Sequence, residues 1–201
     1  MNNSTYKCQN SDSLYFKSIQ YANEKNIKNV LLFIQNKEKI LELKSFINEK
    51  EYNVDIIGVT FPSNEKMYVK EQGKMIKYVP HAADGDEVRT VLLNQGIKLI
   101  SGTLPFEGIV VPGASINPYE IIKQTLGLFS PGLQNVVQSI LMTTDQGVIK
   151  PSEKVIAMNN TVSIEASGAN TRFLFHPLDG LKIHQILGIV EEKMEEANSL
   201  E

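Results

Sequence analysis

His81, Asp84, Asp86 and Glu87 bring an imidazole and three carboxylates into seven residues. These side-chain types ligate metals or pass protons. Zinc asks for three or four ligands at set spacings, which one histidine beside carboxylates does not supply. Asp84 with Glu87 also spells a capping box at a helix start. Asp145, in Thr143-Thr144-Asp145-Gln146-Gly147, either ends a helix or points into a crevice. His176 and His184 complete the histidines, and neither has a nucleophile or carboxylate at a recognisable spacing. An acid–base enzyme built on Asp145, His81 and His176 needs two of them within hydrogen-bond reach in one pocket. No Gly-x-Ser-x-Gly elbow, dinucleotide fingerprint or P-loop occurs in the chain, so no motif supports a hydrolase elbow or a nucleotide enzyme. Cys8 is the single cysteine and sits in a polar N-terminal stretch. It cannot form an internal disulfide, and a reducing compartment is expected.

The elements that must hold these residues fit one core. A chain of 201 residues is long enough for one sizeable core and too short for two comfortable ones. We therefore expect a single domain over 1–201. A net charge of −3 without a basic block removes the electrostatic case for nucleic acid or an anionic membrane surface. No stretch approaches the roughly 18 apolar residues that span a bilayer, and the first residues lack the apolar segment of a secretory signal. A cytoplasmic protein is the expectation.

Hydrophobic periodicity predicts a helix over 12–26, then a continuous apolar strand over 29–34 of the kind buried on both faces. A helix over 37–49 follows, with Ile40, Leu43 and Ile47 spaced by three and four, and a strand over 54–60. Short βαβ connections predict parallel pairing. Residues 61–80 read as an excursion, with a small hairpin around Gln72-Gly73. A helix over 84–95 ends at Gly96, and 97–100 is the third core strand. Glycine and proline punctuate the loop 101–116, whose Leu104–Ile116 apolar residues either seal a ligand, form a subunit contact or bury against the sheet. Asn117-Pro118-Tyr119-Glu120 opens a helix to about Phe129. Ser130-Pro131-Gly132 breaks it and starts a second, with Leu133, Val136, Val137, Ile140 and Leu141 on one face. Val155–Met158 and Thr171–Phe175 then read as two strands joined by a polar loop over Asn159–Ser167. Ile183–Val190 is a last strand, and residues 191–198 form a charged tail. This order predicts a three-layer α/β sandwich, its sheet mainly parallel with an antiparallel edge hairpin.

Open parallel sheets bind ligands beyond the carboxyl ends of their strands. That rule nominates Gln35, Asn36 and Lys37 after the first strand, Ser63 and Asn64 after the second, and Ser101 and Thr103 after the third. It also nominates Asn159, Asn160, Gly168 and Asn170 in the late loop. Asp145 joins them if the helical hairpin returns it to the same face.

Element order and several strings resemble the pyruvate kinase C-terminal α/β superfamily, and most closely its stand-alone archaeal and bacterial branch. The strings are the first helix leading into Asn-Val-Leu-Leu-Phe-Ile, the Leu133–Gly147 helix ending Thr-Thr-Asp-Gln-Gly, and Gly168-Ala169-Asn170-Thr171. They span roughly residues 10–190. In that family the late hairpin carries an effector-binding loop. The loop after the first strand reads Ser/Thr-x-x-Gly-x-Thr and cradles an anion on backbone N–H groups. The matching residues here, Gln35-Asn36-Lys37-Glu38-Lys39-Ile40, have neither the glycine nor the hydroxyls, and the 159–167 loop has no arginine or lysine. A bisphosphorylated sugar would find little charge neutralisation. The resemblance implies a non-catalytic small-molecule-binding or regulatory domain. The topology, with the length of the late loop, leads us to expect a flavin- or nucleotide-like ligand at the strand-end crevice, between the first βα loop and the 159–170 loop. The resemblance also implies a homo-oligomer, as such assemblies are common in the family. Pyruvate kinase activity is not expected, because no room remains for a (β/α)₈ barrel. The alternatives are the acid–base enzyme above and an oligomer-forming scaffold.

Overall fold

The structure, a computed structural model, describes residues 6–34, 36–62, 65–71, 74–78, 85–107, 117 and 119–190. Strands are β1 (Tyr6–Cys8), β2 (Asn29–Phe33), β3 (Asp55–Thr60), β4 (Met67–Glu71), β5 (Lys74–Tyr78), β6 (Lys98–Ser101), β7 (Lys154–Met158), β8 (Val162–Ser167) and β9 (Lys182–Val190). Helices are α1 (Ser11–Glu24), α2 (Lys37–Glu49), α3 (Gly85–Asn94), α4 (Glu120–Gly127) and α5 (Leu133–Asp145), with one 3-10 turn at Thr171–Phe173. Seven strands form one sheet in the order β1-β9-β8-β7-β2-β3-β6, and β4 and β5 pair separately as a hairpin. Only β8 pairs antiparallel to its neighbours in the seven-stranded sheet; the other pairings are parallel.

Period-two alternation sorts the strand side chains between two cores. Val30, Leu32, Ile56, Ile156 and Met158 pack with Ile19, Ala22, Ile40, Leu43, Ile47 and Leu92 from α1, α2 and α3. Leu31, Phe33, Ile57, Val59, Val155, Ala157, Val162, Ile164 and Ala166 face α5 on the other side. Helices on both faces of a mostly parallel sheet make the expected three-layer arrangement, and parallel strands covered twice must be apolar throughout.

Helix α5 is buried on nearly every side, which its single apolar stripe did not announce. Ten of its residues are buried, among them Gln138, Ser139, Thr143 and Thr144. The hydroxyls survive burial by bonding back along the helix: Ser139 to the Asn135 carbonyl at 2.8 Å, Thr143 to Ser139 at 2.7 Å and Thr144 to Ile140 at 2.8 Å. Both expected C-terminal glycines are left-handed, Gly96 and Gly147 each with φ of 68°, a conformation glycine adopts without a Cβ penalty.

Three expectations need correction. First, Asn159–Ser167 is not a polar loop: Val162–Ser167 is strand β8, and all six residues are buried. Its polar row is matched from outside the strand. The Ser163 and Ser18 hydroxyls lie 2.8 Å apart, and Glu165 takes Tyr21 Oη and Lys154 Nζ, each at 2.8 Å. Second, Thr171–Phe175 is no strand. The Asp145 carboxylate accepts the Thr171 amide at 3.0 Å, and turn bonds from Phe173 to Asn170 and from Leu174 to Thr171 wind the segment up. Third, the antiparallel hairpin β7–β8 lies inside the sheet rather than at an edge, because β9 and β1 continue beyond it. Cys8, in the polar N-terminal stretch, lies in edge strand β1 and is buried.

Glu165 makes stability depend on pH. Burial pushes its carboxyl up, but the bonds from Lys154 and Tyr21 and the nearby His184 outweigh that and hold it below its ordinary 4.5. Its charged form is therefore favoured in the fold. This contribution is complete above 4.5 and is lost as pH falls through the lower folded value. Urea titrations of the wild type and Glu165→Gln should show the wild type's stability falling more steeply below pH 4.5. Parallel curves would remove Glu165 as the cause.

Candidate ligand site

The carboxyl ends of β2 and β7 do bring Asn36 and Asn160 to one hollow, with Ser11, Tyr15 and Lys39. The hollow is polar and its volume is about 130 Å³. Sites for drug-sized ligands run to about 300–1,000 Å³, so a flavin does not fit here. Its cation is already engaged. Lys39 Nζ lies 2.9 Å from Asp12 and 2.5 Å from Glu42. Burial alone would lower its ammonium, yet those two carboxylates hold it above the ordinary lysine range. Burial, with the Asp12 charge nearby, keeps the Tyr15 phenol protonated far above its usual pKa. Asn36 caps α2, its Oδ1 accepting the Lys39 amide at 2.9 Å. Lys37 is the half-buried first residue of α2.

The other nominated residues scatter. Asn159 is buried and structural: its Oδ1 accepts the Thr161 and Val162 amides at 2.9 and 3.0 Å, and its Nδ2 donates to the Gly132 carbonyl at 2.9 Å. Gly168 and Asn170 follow β8 and so lie at the opposite end of that strand from Asn159 and Asn160. Asn170 Nδ2 donates to Asp145 at 3.0 Å, which makes Asp145 the cap of the following turn. Ser101 takes a hydrogen bond from Arg89 on its hydroxyl and one from Gln146 on its carbonyl, while Thr103 is exposed. Gln35, Ser63 and Asn64 lie outside the described residues, as do His81 and Asp84 and the side chains of Asp86 and Glu87.

A larger cavity, about 530 Å³, opens where three segments meet: Pro105 and Phe106 after β6, Tyr119 and Ile122 at α4, and the turn Thr171–His176. Local chemistry builds each wall. Gln138 Oε1 accepts the Phe106 amide at 2.7 Å from inside α5, which fixes the loop after β6. Of the apolar Leu104–Ile116 loop, Leu104 and Phe106 bury against the sheet and 108–116 lie outside the described residues. Asn117 does not cap α4 with its side chain. It bonds the Tyr119 amide at 2.9 Å and the Phe106 carbonyl at 3.0 Å, joining two walls. The third wall is the Asp145-capped turn, which presents Phe173, Phe175, Arg172 and His176. Thr171 Oγ1 is buried there without a partner. Reading 171–175 as a strand hid this wall. The turn residues downstream, Pro177 and Asp179-Gly180, were the available signal against it.

Among the described residues, proton-transfer groups do not converge on the cavity. The His176 ring Nδ1 takes the Asp179 amide at 3.1 Å and lies 3.3 Å from the Asp179 carboxylate, whereas Asp145 is spent on Asn170 and Thr171. His184 does find a nucleophile type, with Nε2 2.6 Å from Ser167 Oγ. The neighbouring carboxylate, Glu165, gives its two oxygens to Tyr21 and Lys154, so it anchors α1 instead of orienting the imidazole. Among the described residues, no three His, Cys, Asp or Glu side chains form a metal site, and no helix is long and apolar enough to cross a membrane. What the arrangement offers is an aromatic hollow with a guanidinium at its wall. No protein-family model matches the sequence.

Proposed function

We propose that this protein is a non-catalytic small-molecule-binding domain, its ligand planar and aromatic with an anionic group, as in a flavin or a nucleotide. The observation that carries the reading is the cavity of about 530 Å³ walled by Phe106, Tyr119, Phe173 and Phe175, with Arg172 beside them. Its size suits such a molecule. Aromatic faces stack on planar rings, and a guanidinium pairs with phosphate or carboxylate in a fork. The likeness to the effector-binding domain of pyruvate kinase favours the same class of role. Here, though, the ligand is assigned to the turn cavity and not to the smaller strand-end hollow.

Thermal shift and absorbance difference spectra with flavin mononucleotide, adenosine monophosphate and fructose bisphosphate test the reading. A flavin or nucleotide at a hundredfold excess over its Kd should add about 2.7 kcal/mol of stability. Phe173→Ala and Arg172→Ala should each weaken that ligand about three- to tenfold, the scale of one stacking or cation contact. No shift with any compound, or a shift indifferent to both substitutions, overturns it.

A further inference from the structure

We infer that a hollow at the amino ends of β2, β3 and β6 is a second binding site, and that it takes a compact dianion, an oxyanion or a short dicarboxylate. The hollow measures about 200 Å³ and is walled by Asn29, Lys44, Asp55 and Lys98, with Gly96 and Val148 beside them. Asn29, Asp55 and Lys98 each open one of three adjacent parallel strands. Asn29 pairs with Asp55, and Lys98 with Ile57 two residues further along β3, so one rim of the sheet carries all three polar side chains. Lys44 joins them from α2, which Leu43 and Ile47 hold against the sheet. Gly96 keeps one side open: it turns α3 into β6 with φ of 68°, and a Cβ built on it would meet nothing within 4 Å. The rule that ligands bind beyond the carboxyl ends of parallel strands looks to the other end of the sheet, so it does not find this hollow.

Charge and size select the ligand. Lys28, Lys39, Lys123 and Lys154 each hold a carboxylate within 3.5 Å, whereas Lys44 and Lys98 pair with no group among the described residues. On α2 the residues three and four away from Lys44 are Ile40, Leu41, Ile47 and Asn48, so its own helix face offers it no acid. The carboxylates along the rim are engaged. Asp55 lies 3.5 Å from Lys28, and Glu153 takes the Asn29 side-chain amide at 2.7 Å and the Lys150 amide at 2.8 Å. Two ammonium groups on one small hollow repel each other, and an anion between them replaces that repulsion with two attractions. Sites for drug-sized ligands run to about 300–1,000 Å³, so this hollow admits only a compact group. Two cations match two negative charges. A lysine ammonium is a point charge without the planar fork of a guanidinium, which suits a tetrahedral oxyanion and a pair of carboxylates alike.

Amide NMR titrations at constant ionic strength, one with inorganic phosphate and one with succinate, decide this when taken to about 10 mM, tenfold above a millimolar Kd. At least one anion should move the Gly96 and Lys98 amides saturably, and which one does so tells the oxyanion from the dicarboxylate. Lys44→Gln and Lys98→Gln should each weaken binding about three- to tenfold, between the worth of an exposed ion pair and that of a charge-assisted hydrogen bond. Asp55→Asn should tighten it about two- to fivefold, because it removes the hollow's own negative charge. Lys37→Gln makes the same charge change at the start of α2, about two turns away, and should bind as the wild type does. No saturable shift with either anion overturns the inference. So does a loss in Lys37→Gln equal to that in Lys44→Gln, which marks a net-charge effect, or wild-type affinity in both Lys44→Gln and Lys98→Gln. The site does not rest on the aromatic-ligand reading, since Arg172→Ala and Phe173→Ala should leave these titrations unchanged.

Discussion

Asn159→Ala should lower the unfolding free energy by about 3 kcal/mol, because each buried polar group left unpaired costs about 1–3 kcal/mol. The side chain is 2% exposed and joins three places at once. It receives the amides of Thr161 and Val162, closes on the Thr161 hydroxyl at 3.0 Å, and donates to Gly132 at the start of α5. Truncation strands the two amides, of which that of half-buried Thr161 recovers part of the loss through water, while the Gly132 carbonyl keeps the Asn135 and Val136 amides. Urea unfolding gives the number. A value under 1 kcal/mol, at the level of a solvated turn, would show that water replaces the side chain. The same site makes a coupling test. A Cβ on Gly132 would stand 2.3 Å from Asn159 Nδ2 and 2.1 Å from Thr161 Oγ1. Gly132→Ala should therefore cost less in the Asn159→Ala background than alone, a non-additivity that contact predicts. Were Asn159 a ligand group, alanine would instead remove binding and spare stability.

Asn159 also marks the boundary of what the sequence made legible. Its place at a strand's carboxyl end was readable, and the rule for open sheets did bring Asn36 and Asn160 together. Whether that end was open enough for a ligand depended on partners far along the chain: Asp12 and Glu42 on Lys39, and Gly132 under Asn159. The strands β2 and β3 were legible as continuous apolar runs, because parallel strands with helices on both sides have no wet face. Strand β8 was not, since its Ser163, Glu165 and Ser167 look solvated until Ser18, Tyr21, Lys154 and His184 are brought against them. The 171–175 segment failed in the opposite sense. Its β-branched and aromatic residues satisfy a strand propensity, and a carboxylate 26 positions earlier, Asp145, overrides it by capping the turn. The cavity proposed to bind ligand is made by that override, so the feature hardest to read locally is the one on which function is staked.

Gly180→Ala should cost about 3 kcal/mol, the upper part of the overpacking range, and abolish the cavity while sparing the sheet. A Cβ at this position would stand 2.3 Å from the His176 carbonyl oxygen, 2.8 Å from that of Leu174 and 2.9 Å from the His176 nitrogen. All three are backbone atoms, so no rotamer change relieves the contact and the turn itself must open. Opening sacrifices the bonds from the Gly180 amide to His176 and from the Leu181 amide to Leu174, which hold the wall carrying Phe173 and Phe175. Gly58, in the middle of β3, sets the contrast. Its nearest clash, 2.4 Å, is with the Ile34 Cδ1 methyl at the end of a flexible side chain, which can swing aside. Close approach to backbone therefore ranks Gly180 above Gly58, although Gly58 is the more central. Hydrogen exchange should show loss of protection at Gly180 and Leu181 with β2, β3 and β7 unchanged. The same variant should lose flavin or nucleotide binding, which uses this wall. Retained protection at Gly180 and Leu181 with wild-type stability would mean that the turn absorbs a methyl group, and the wall's part in ligand binding would then lose its structural basis.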